Sequence, residues 1–178
     1  MALVRALAGS DVCATGYSLA KVLESEKPDL VLLGQQSDDG ECYTIGAVVA
    51  DHLQMPSLTQ VIKIDVTDGK LRCERQAEYG YDTVEIELPA VISVGDAINE
   101  PRYPSLKAIM GAKKKPLDNK GAGDVGIDAG QVGEAGSKTK VLALNPPPAK
   151  EAGEIIEDED TNETVEKIVA WLDERKLI

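Results

Sequence analysis

Asp38, Asp39 and Glu41 stand together in the stretch Gln35 to Glu41, which holds no apolar residue and runs straight into an apolar-periodic segment. Carboxylates just ahead of a helix complement its dipole and cap its free N–H groups. The same N–H groups can hold a phosphate when a ligand brings one. Backbone anion binding is therefore the chemistry within reach of this loop, rather than acid–base or nucleophilic catalysis. The single histidine, His52, falls on the apolar side of the following helix, where a core or boundary place suits it better than catalysis. The chain has no Gly-x-Ser-x-Gly, no Walker loop and no metal-ligand cluster. Cys13, Cys42 and Cys73 show no CxxC spacing and are odd in number, which is expected of a reduced, intracellular protein. Lys113, Lys114 and Lys115 can serve as the solvated, dipole-matched end of a short helix, or as a docking patch in a chain this acidic.

The elements around the loop set its use. Asp29 to Leu33 is a short run, apolar after its first position and closed by Gly34, which predicts a strand buried on both faces of a parallel sheet. After Cys42 the residues Ile45, Val48, Val49, His52 and Leu53 follow helical spacing. Strand, polar loop and helix in that order place the loop at the carboxyl end of the strand, where open α/β sheets bind nucleotides. Ahead of this unit, Ser10 to Ser25 predicts a helix with Ser10, followed by Asp11, as its candidate cap; Pro28 ends it.

Beyond Pro56 the period falls to two. Strands are expected over Ser57 to Val66, Lys70 to Glu78, Tyr81 to Leu88 and Ala90 to Val94, with Asp68-Gly69 a strong hairpin signal. Pro101 and Pro104 make the next stretch extended, and Ser105 starts a short helix carrying Leu106, Ile109 and Met110. Residues 116–138 hold six glycines and few apolar side chains, and read as a linker. A short strand is expected over Lys140 to Leu144, an acidic run over Ile156 to Thr161, and a last helix capped by Thr161. Val165, Ile168, Val169 and Leu172 line one face of that helix, which has no core of its own and should pack on something else, such as another chain. The expected organisation is a nucleotide-binding α/β domain over residues 1–115 and a linker with a C-terminal arm over residues 116–178.

At 178 residues the chain suffices for one domain with a core, plus an arm. Its formal charge of −12 argues against a nucleic-acid surface or an anionic membrane as partner. No apolar run approaches the roughly 18 residues of a spanning helix, and the start MALVRALAG lacks the long apolar core of a signal peptide, so a cytoplasmic place is expected. With no Phe, one Trp and five Tyr, the core must be built from Val, Ile, Leu and Ala.

The stretches PDLVLLGQQSDDGE with Gly46, Ala50 and Leu53, the hairpin ending in ELPAVISV, and above all INEPRYPSLKAIMGAKKKP carry a resemblance across almost the whole chain. They resemble the β subunit of electron transfer flavoprotein, within the adenine-nucleotide α-hydrolase-like superfamily. The resemblance implies a Rossmann-like parallel sheet with helices, an antiparallel hairpin section and a C-terminal arm. It further implies AMP, or a second FAD in bifurcating relatives, in this subunit, and an α subunit that holds the redox-active FAD. Carried over by position, the nucleotide segment covers Gly34, Gln35, Gln36, Ser37, Asp38, Asp39, Gly40, Glu41, Cys42, Tyr43, Thr44, Ile45 and Gly46. The amides of Glu41 to Ile45 would hold phosphate, Gly34 to Gln36 would face the adenosine, and Gly46 would let the helix approach closely. The family's recognition loop maps to about residues 94–115, with Asn99, Glu100, Pro101, Arg102, Tyr103, Leu106, Ile109 and Met110 expected to meet acyl-CoA or related dehydrogenases. By periodicity alone Leu106 could instead join its own domain's core. The implied role is electron carriage from those dehydrogenases to a quinone oxidoreductase, without turnover of a substrate. The alternative is a stand-alone adenine-nucleotide-binding regulatory module; a nucleotide-hydrolysing enzyme would need a phosphate loop this chain does not show.

Three departures from the family pattern have consequences. Thr44 replaces a usual Gln and shortens one contact near the phosphate, and Gln76 after Glu74-Arg75 replaces a usual Glu. The family's first third has no counterpart, so the sheet is expected to be incomplete in its N-terminal half, with an unpaired edge on the strand at 29. The chain is then expected to be a fragment or to start downstream of the natural beginning.

Overall fold

The computed structural model describes residues 2–4, 8–149, 153, 155 and 160–178, grouped into two compact units, Met1–Lys140 and Val141–Ile178. The larger unit runs β1 (Ala2–Val4), α1 (Val12–Glu26), β2 (Leu30–Gly34), α2 (Ile45–Leu53), β3 (Ser57–Thr67), β4 (Lys70–Ala77), β5 (Gly80–Glu87), β6 (Ala90–Val94), α3 (Leu106–Ala112), β7 (Asp118–Lys120) and α4 (Gly133–Gly136). Its main sheet has the order β2-β6-β3-β4-β5. The pairs β2–β6 and β6–β3 are parallel; β3–β4 and β4–β5 are antiparallel. This is the α/β architecture expected from the change of period near Pro56.

The continuous apolar signal and the buried position part company in this sheet. β6 is an interior strand, between β2 and β3, with Ala90, Val91, Ile92 and Ser93 all buried. β2 stands at the edge, with only Val31 buried and Leu32 56% exposed. The expectation of burial on both faces therefore fails in part for β2: Val31 and Leu33 pack with Ala50 and Val91 on one face, while on the other Leu30 packs against the larger core cluster and Leu32 stays exposed. Its partner among the described residues is β6 alone.

The hairpin section follows the turn chemistry closely. Asp68 and Gly69 have φ of 50° and 77°, positive at both central positions, as a two-residue hairpin turn that matches strand twist demands. Leu71, Cys73 and Ile86 point inward onto Val61 and Ile92, forming the larger core cluster with Leu58 and Ala90. Lys63–Glu74 and Arg75–Asp82 pair directly across strands at 2.9 and 2.7 Å, from opposite faces of β4.

Helices α1 and α2 cross where α1 has Gly16, and a Cβ there would lie 2.5 Å from Val48 Cγ1. The crossing is thus as tight as the chain allows. Tyr17 is buried and meets the exposed His52 edge-on at 5.6 Å between centroids. His52 is therefore not a core residue but lies at the rim of the α1–α2 contact.

Residues 116–138 are not the linker their glycine content predicts. They form β7, two single turns of 3-10 helix and α4, docked on α1. β7 pairs with β1 in a small parallel ladder, and Asp128 N–H donates to Tyr17 Oη at 3.2 Å. Gly126 and Gly133 have φ of 69° and 63°, so the glycines serve backbone turns rather than flexibility. The strand expected over Lys140 to Leu144 does not form, and Val141, Leu142 and Leu144 are exposed.

The smaller unit contains α5 (Thr161–Glu174), capped by Asp160 rather than Thr161: Asp160 Oδ1 accepts from Asn162 N–H at 2.8 Å. Its stripe of Val165, Ile168 and Val169 is exposed. Most of the acidic run 156–161 lies outside the described residues. Among the described residues, no helix is long and apolar enough to cross a membrane.

Candidate functional site

The loop predicted from strand and helix periodicity leaves β2 at Gly34, at the carboxyl ends of the two adjacent parallel strands. Ser93, buried at the end of β6, donates its hydroxyl to Gly34 C=O at 3.4 Å and ties the two strand ends together. The loop then closes on itself, with Glu41 N–H donating to Ser37 C=O at 3.0 Å. This closure puts Glu41 at φ 43°, an unfavourable conformation for a side chain of its size. It also spends the Glu41 amide internally. Of the amides expected to hold phosphate, that one is already bonded.

Asp39 is held below the usual carboxylate range, first by the Ser37 hydroxyl and then by backbone N–H groups of Asp39 and Gly40. The Cys42 thiol lies 3.1 Å from Gly40 C=O. Helix α2 then begins at Thr44, whose side chain makes no capping bond. The first-turn N–H groups of a helix have no intrahelical acceptor, so α2 opens with donors left for solvent or a ligand.

A cavity of about 560 Å³ lies between this loop and the N-terminal half of α1. From the predicted segment, Gly34, Gln36, Ser37, Asp39, Gly40, Cys42 and Ile45 line it. Gln35, Asp38, Glu41, Tyr43, Thr44 and Gly46 do not. Gly46 is buried against the sheet, where a Cβ would sit 3.5 Å from Leu33 Cδ1 and Ser93 Cβ. It sets the distance between helix and sheet.

The other wall was not visible in the sequence pattern. It comes from Ser10, Asp11, Val12, Thr15 and Leu19 on and before α1, with Thr139 from the segment that follows α4. Asp11, not Ser10, caps α1: its Oδ1 accepts from Ala14 N–H at 3.0 Å. Its Oδ2 accepts from Lys138 N–H at 2.6 Å and Thr139 N–H at 2.9 Å. These amides, led by that of Ala14, hold the Asp11 carboxyl below its ordinary range. Among the described residues lining the cavity there is no Lys, Arg or His, and the two carboxylates are Asp11 and Asp39. No group of three or more His, Cys, Asp or Glu that could hold a metal occurs among the described residues.

The predicted partner segment sits elsewhere on the surface. Asn99, Glu100, Pro101, Arg102, Tyr103, Leu106, Ile109 and Met110 are all exposed, with Tyr103 at 99% and Leu106 at 75%. Ser105 caps α3 by accepting from Ala108 N–H at 3.3 Å. Leu106 does not join the core of its own unit.

An open α/β sheet with a cavity at the carboxyl end of its parallel strands places this chain in the α/β architectural class, whose members bind ligands at that position. Comparison with known proteins narrows that class. Residues 1–124 match the electron transfer flavoprotein domain. The electron transfer flavoprotein subunit beta of Mycobacterium tuberculosis is 43% identical over 171 residues, covering 96% of this chain and 64% of that protein. The corresponding subunit of Thermoanaerobacterium thermosaccharolyticum is 37% identical over 175 residues, covering 98% of this chain and 67% of that protein. The caffeyl-CoA reductase-Etf complex subunit CarD of Acetobacterium woodii is 36% identical over 175 residues, with the same two coverages of 98% and 67%. The chain belongs to the electron transfer flavoprotein family, and these relatives place it on the β-subunit side. It spans about two thirds of their length.

Proposed function

We propose that this chain is the β-side scaffold of an electron transfer flavoprotein, holding an adenine nucleotide in the cavity between loop 34–46 and α1. The cavity carries this reading, because it combines the strand-end position, an uncapped helix start and a polar loop without apolar residues. AMP fits its charge better than a polyphosphate does, since Asp11 and Asp39 would repel additional phosphates and no cation lines the space to offset them. FAD is the other candidate ligand for the same position. Ribose and phosphate would meet the loop's backbone and the Ser37 hydroxyl, while Leu19, Leu33 and Ile45 offer apolar contact to a base.

An α subunit would carry the redox-active FAD, and this chain would turn over no substrate. The exposed stripe of α5 supports a subunit partner, and the exposed Leu106, Ile109 and Met110 on α3 support a docking surface for acyl-CoA or related dehydrogenases in the cytoplasm, with electrons passing on to a quinone oxidoreductase. A stand-alone regulatory module would bind the same nucleotide but would leave both apolar surfaces unused.

Co-expression with an electron transfer flavoprotein α subunit tests the reading. The expected result is a co-purifying pair that releases one FAD together with one AMP, or two FAD. A chain that purifies alone while retaining AMP would favour the regulatory module, and a pair that releases only one FAD would overturn nucleotide binding on this side.

A further inference from the structure

The second wall of the cavity depends on contacts that span the whole larger unit. Ser10, Asp11 and Gly9 each bond to residues more than 120 positions away: Ser10 Oγ accepts from Gly133 N–H at 2.8 Å, Asp11 N–H donates to Ser137 Oγ at 2.9 Å, and Ser137 Oγ lies 2.6 Å from Gly9 C=O. Asp11 Oδ2 takes the next two amides, Lys138 and Thr139. One carboxylate thus does two tasks, capping α1 with one oxygen and fastening the strap with the other. Gly9, at φ 85°, passes so close under Glu134 that a Cβ would meet Glu134 Cγ at 2.6 Å. Three of the residues in this knot, Ser10, Asp11 and Thr139, line the cavity themselves.

We propose that Asp11 is the positioning residue of the nucleotide cavity, and that the strap Ser137–Thr139 it holds is the latch that makes the N-terminus of α1 a fixed wall. The proposal rests on the reading of this cavity as the AMP site. Its physical basis is the strength of amide bonds to an ionised acceptor, which exceeds that of bonds between neutral groups. Releasing the strap frees Thr139 from the rim, and removing the Asp11 carboxylate also leaves α1 without its cap. The wall then loses its fixed distance from Gln36, Ser37 and Gly40 across the cavity, and a ligand must pay the ordering that the latch now supplies.

Two readouts separate the latch from the ligand. The Lys138–Thr139 bond lies in the strap, and Lys138 is exposed, so trypsin reports directly on strap release, with cleavage after Lys120 as the internal control for general loosening. Asp11→Ala and Ser137→Ala act from opposite sides of the strap; Ser137→Ala keeps the α1 cap and removes no lining side chain, and Asp11→Asn serves if Asp11→Ala fails to fold. Both sides should raise cleavage after Lys138 about tenfold relative to Lys120, and weaken AMP binding by a similar factor in titration calorimetry. Faster cleavage with unchanged AMP affinity would overturn the proposal, as would unchanged cleavage. Tighter AMP binding in Asp11→Ala would also overturn it, because it would mark the carboxylate as a repulsive charge and nothing more. If the wild-type chain binds no AMP, the reading of the cavity falls, and cleavage after Lys138 still decides whether the latch exists.

Discussion

Leu106 and Gly46 show how far a residue's type, taken alone, predicts its work. Leu106 follows helical spacing with Ile109 and Met110, a pattern that serves a core as readily as an interface. Its 75% exposure removes the core role in the larger unit. Leu106→Ala should therefore leave the melting temperature nearly unchanged while weakening dehydrogenase docking by about 2 kcal/mol, as truncation of a buried anchor does. Steady-state electron transfer against dehydrogenase concentration measures the docking effect, and a loss of stability in step with activity would return Leu106 to a packing role. Gly46 was legible as a position of close approach, but the thing approached is the sheet. Gly46→Val adds methyls against Leu33 and Ser93, so it should destabilise the fold by about 1–3 kcal/mol before it affects any ligand. A denaturant melt that stays in place while AMP binding is lost would contradict this.

At the scale of elements, the five strands of the main sheet, the hairpins and both long helices of the larger unit could be read from period and turn residues, because these signals are local. Asp68-Gly69 fixes its hairpin through positive φ, and Ser105 caps α3 as its type allows. The segment after Pro116 could not be read in this way. Its glycines suggested a flexible linker, whereas Gly126 and Gly133 hold left-handed turns and the segment bonds to α1 from more than a hundred residues away. A single sequence carries no mark of such pairings, and half of the cavity was hidden for that reason. Two predictions belong here. Gly16→Ala should destabilise by about 1 kcal/mol, since overpacking against the stiff Val48 outweighs the better helix propensity of alanine; a raised melting temperature would refute the tight crossing. The second concerns pH. The Asp11 carboxyl is lowered in the folded chain, so its contribution is complete above the ordinary carboxylate value of about 3.9 and is lost as pH falls through the folded value. The difference in melting temperature between wild type and Asp11→Asn should accordingly be full at pH 7 and pH 5 and close on further acidification, whereas a pH-independent difference would show that charge on Asp11 plays no part.

For the molecule as a whole, the exposed apolar surface is the informative quantity. β2 forms an edge with Leu32 at 56% exposure, and α5 presents Val165, Ile168 and Val169 outward. Edges and stripes of this kind recruit partners or self-associate. The chain on its own should sediment as concentration-dependent oligomers at micromolar levels, and Leu32→Lys should reduce that association by placing a charge on the edge. A monodisperse wild-type monomer would contradict this. The central claim, that the space between loop 34–46 and α1 is a nucleotide site, can be tested with the chain's own thiols. Cys42 lines the cavity and is exposed, while Cys73 is fully buried. Mass-resolved alkylation of Cys42 should slow saturably as AMP is titrated in, with Cys73 unreactive throughout. A Cys42 rate unmoved by millimolar AMP would contradict the account.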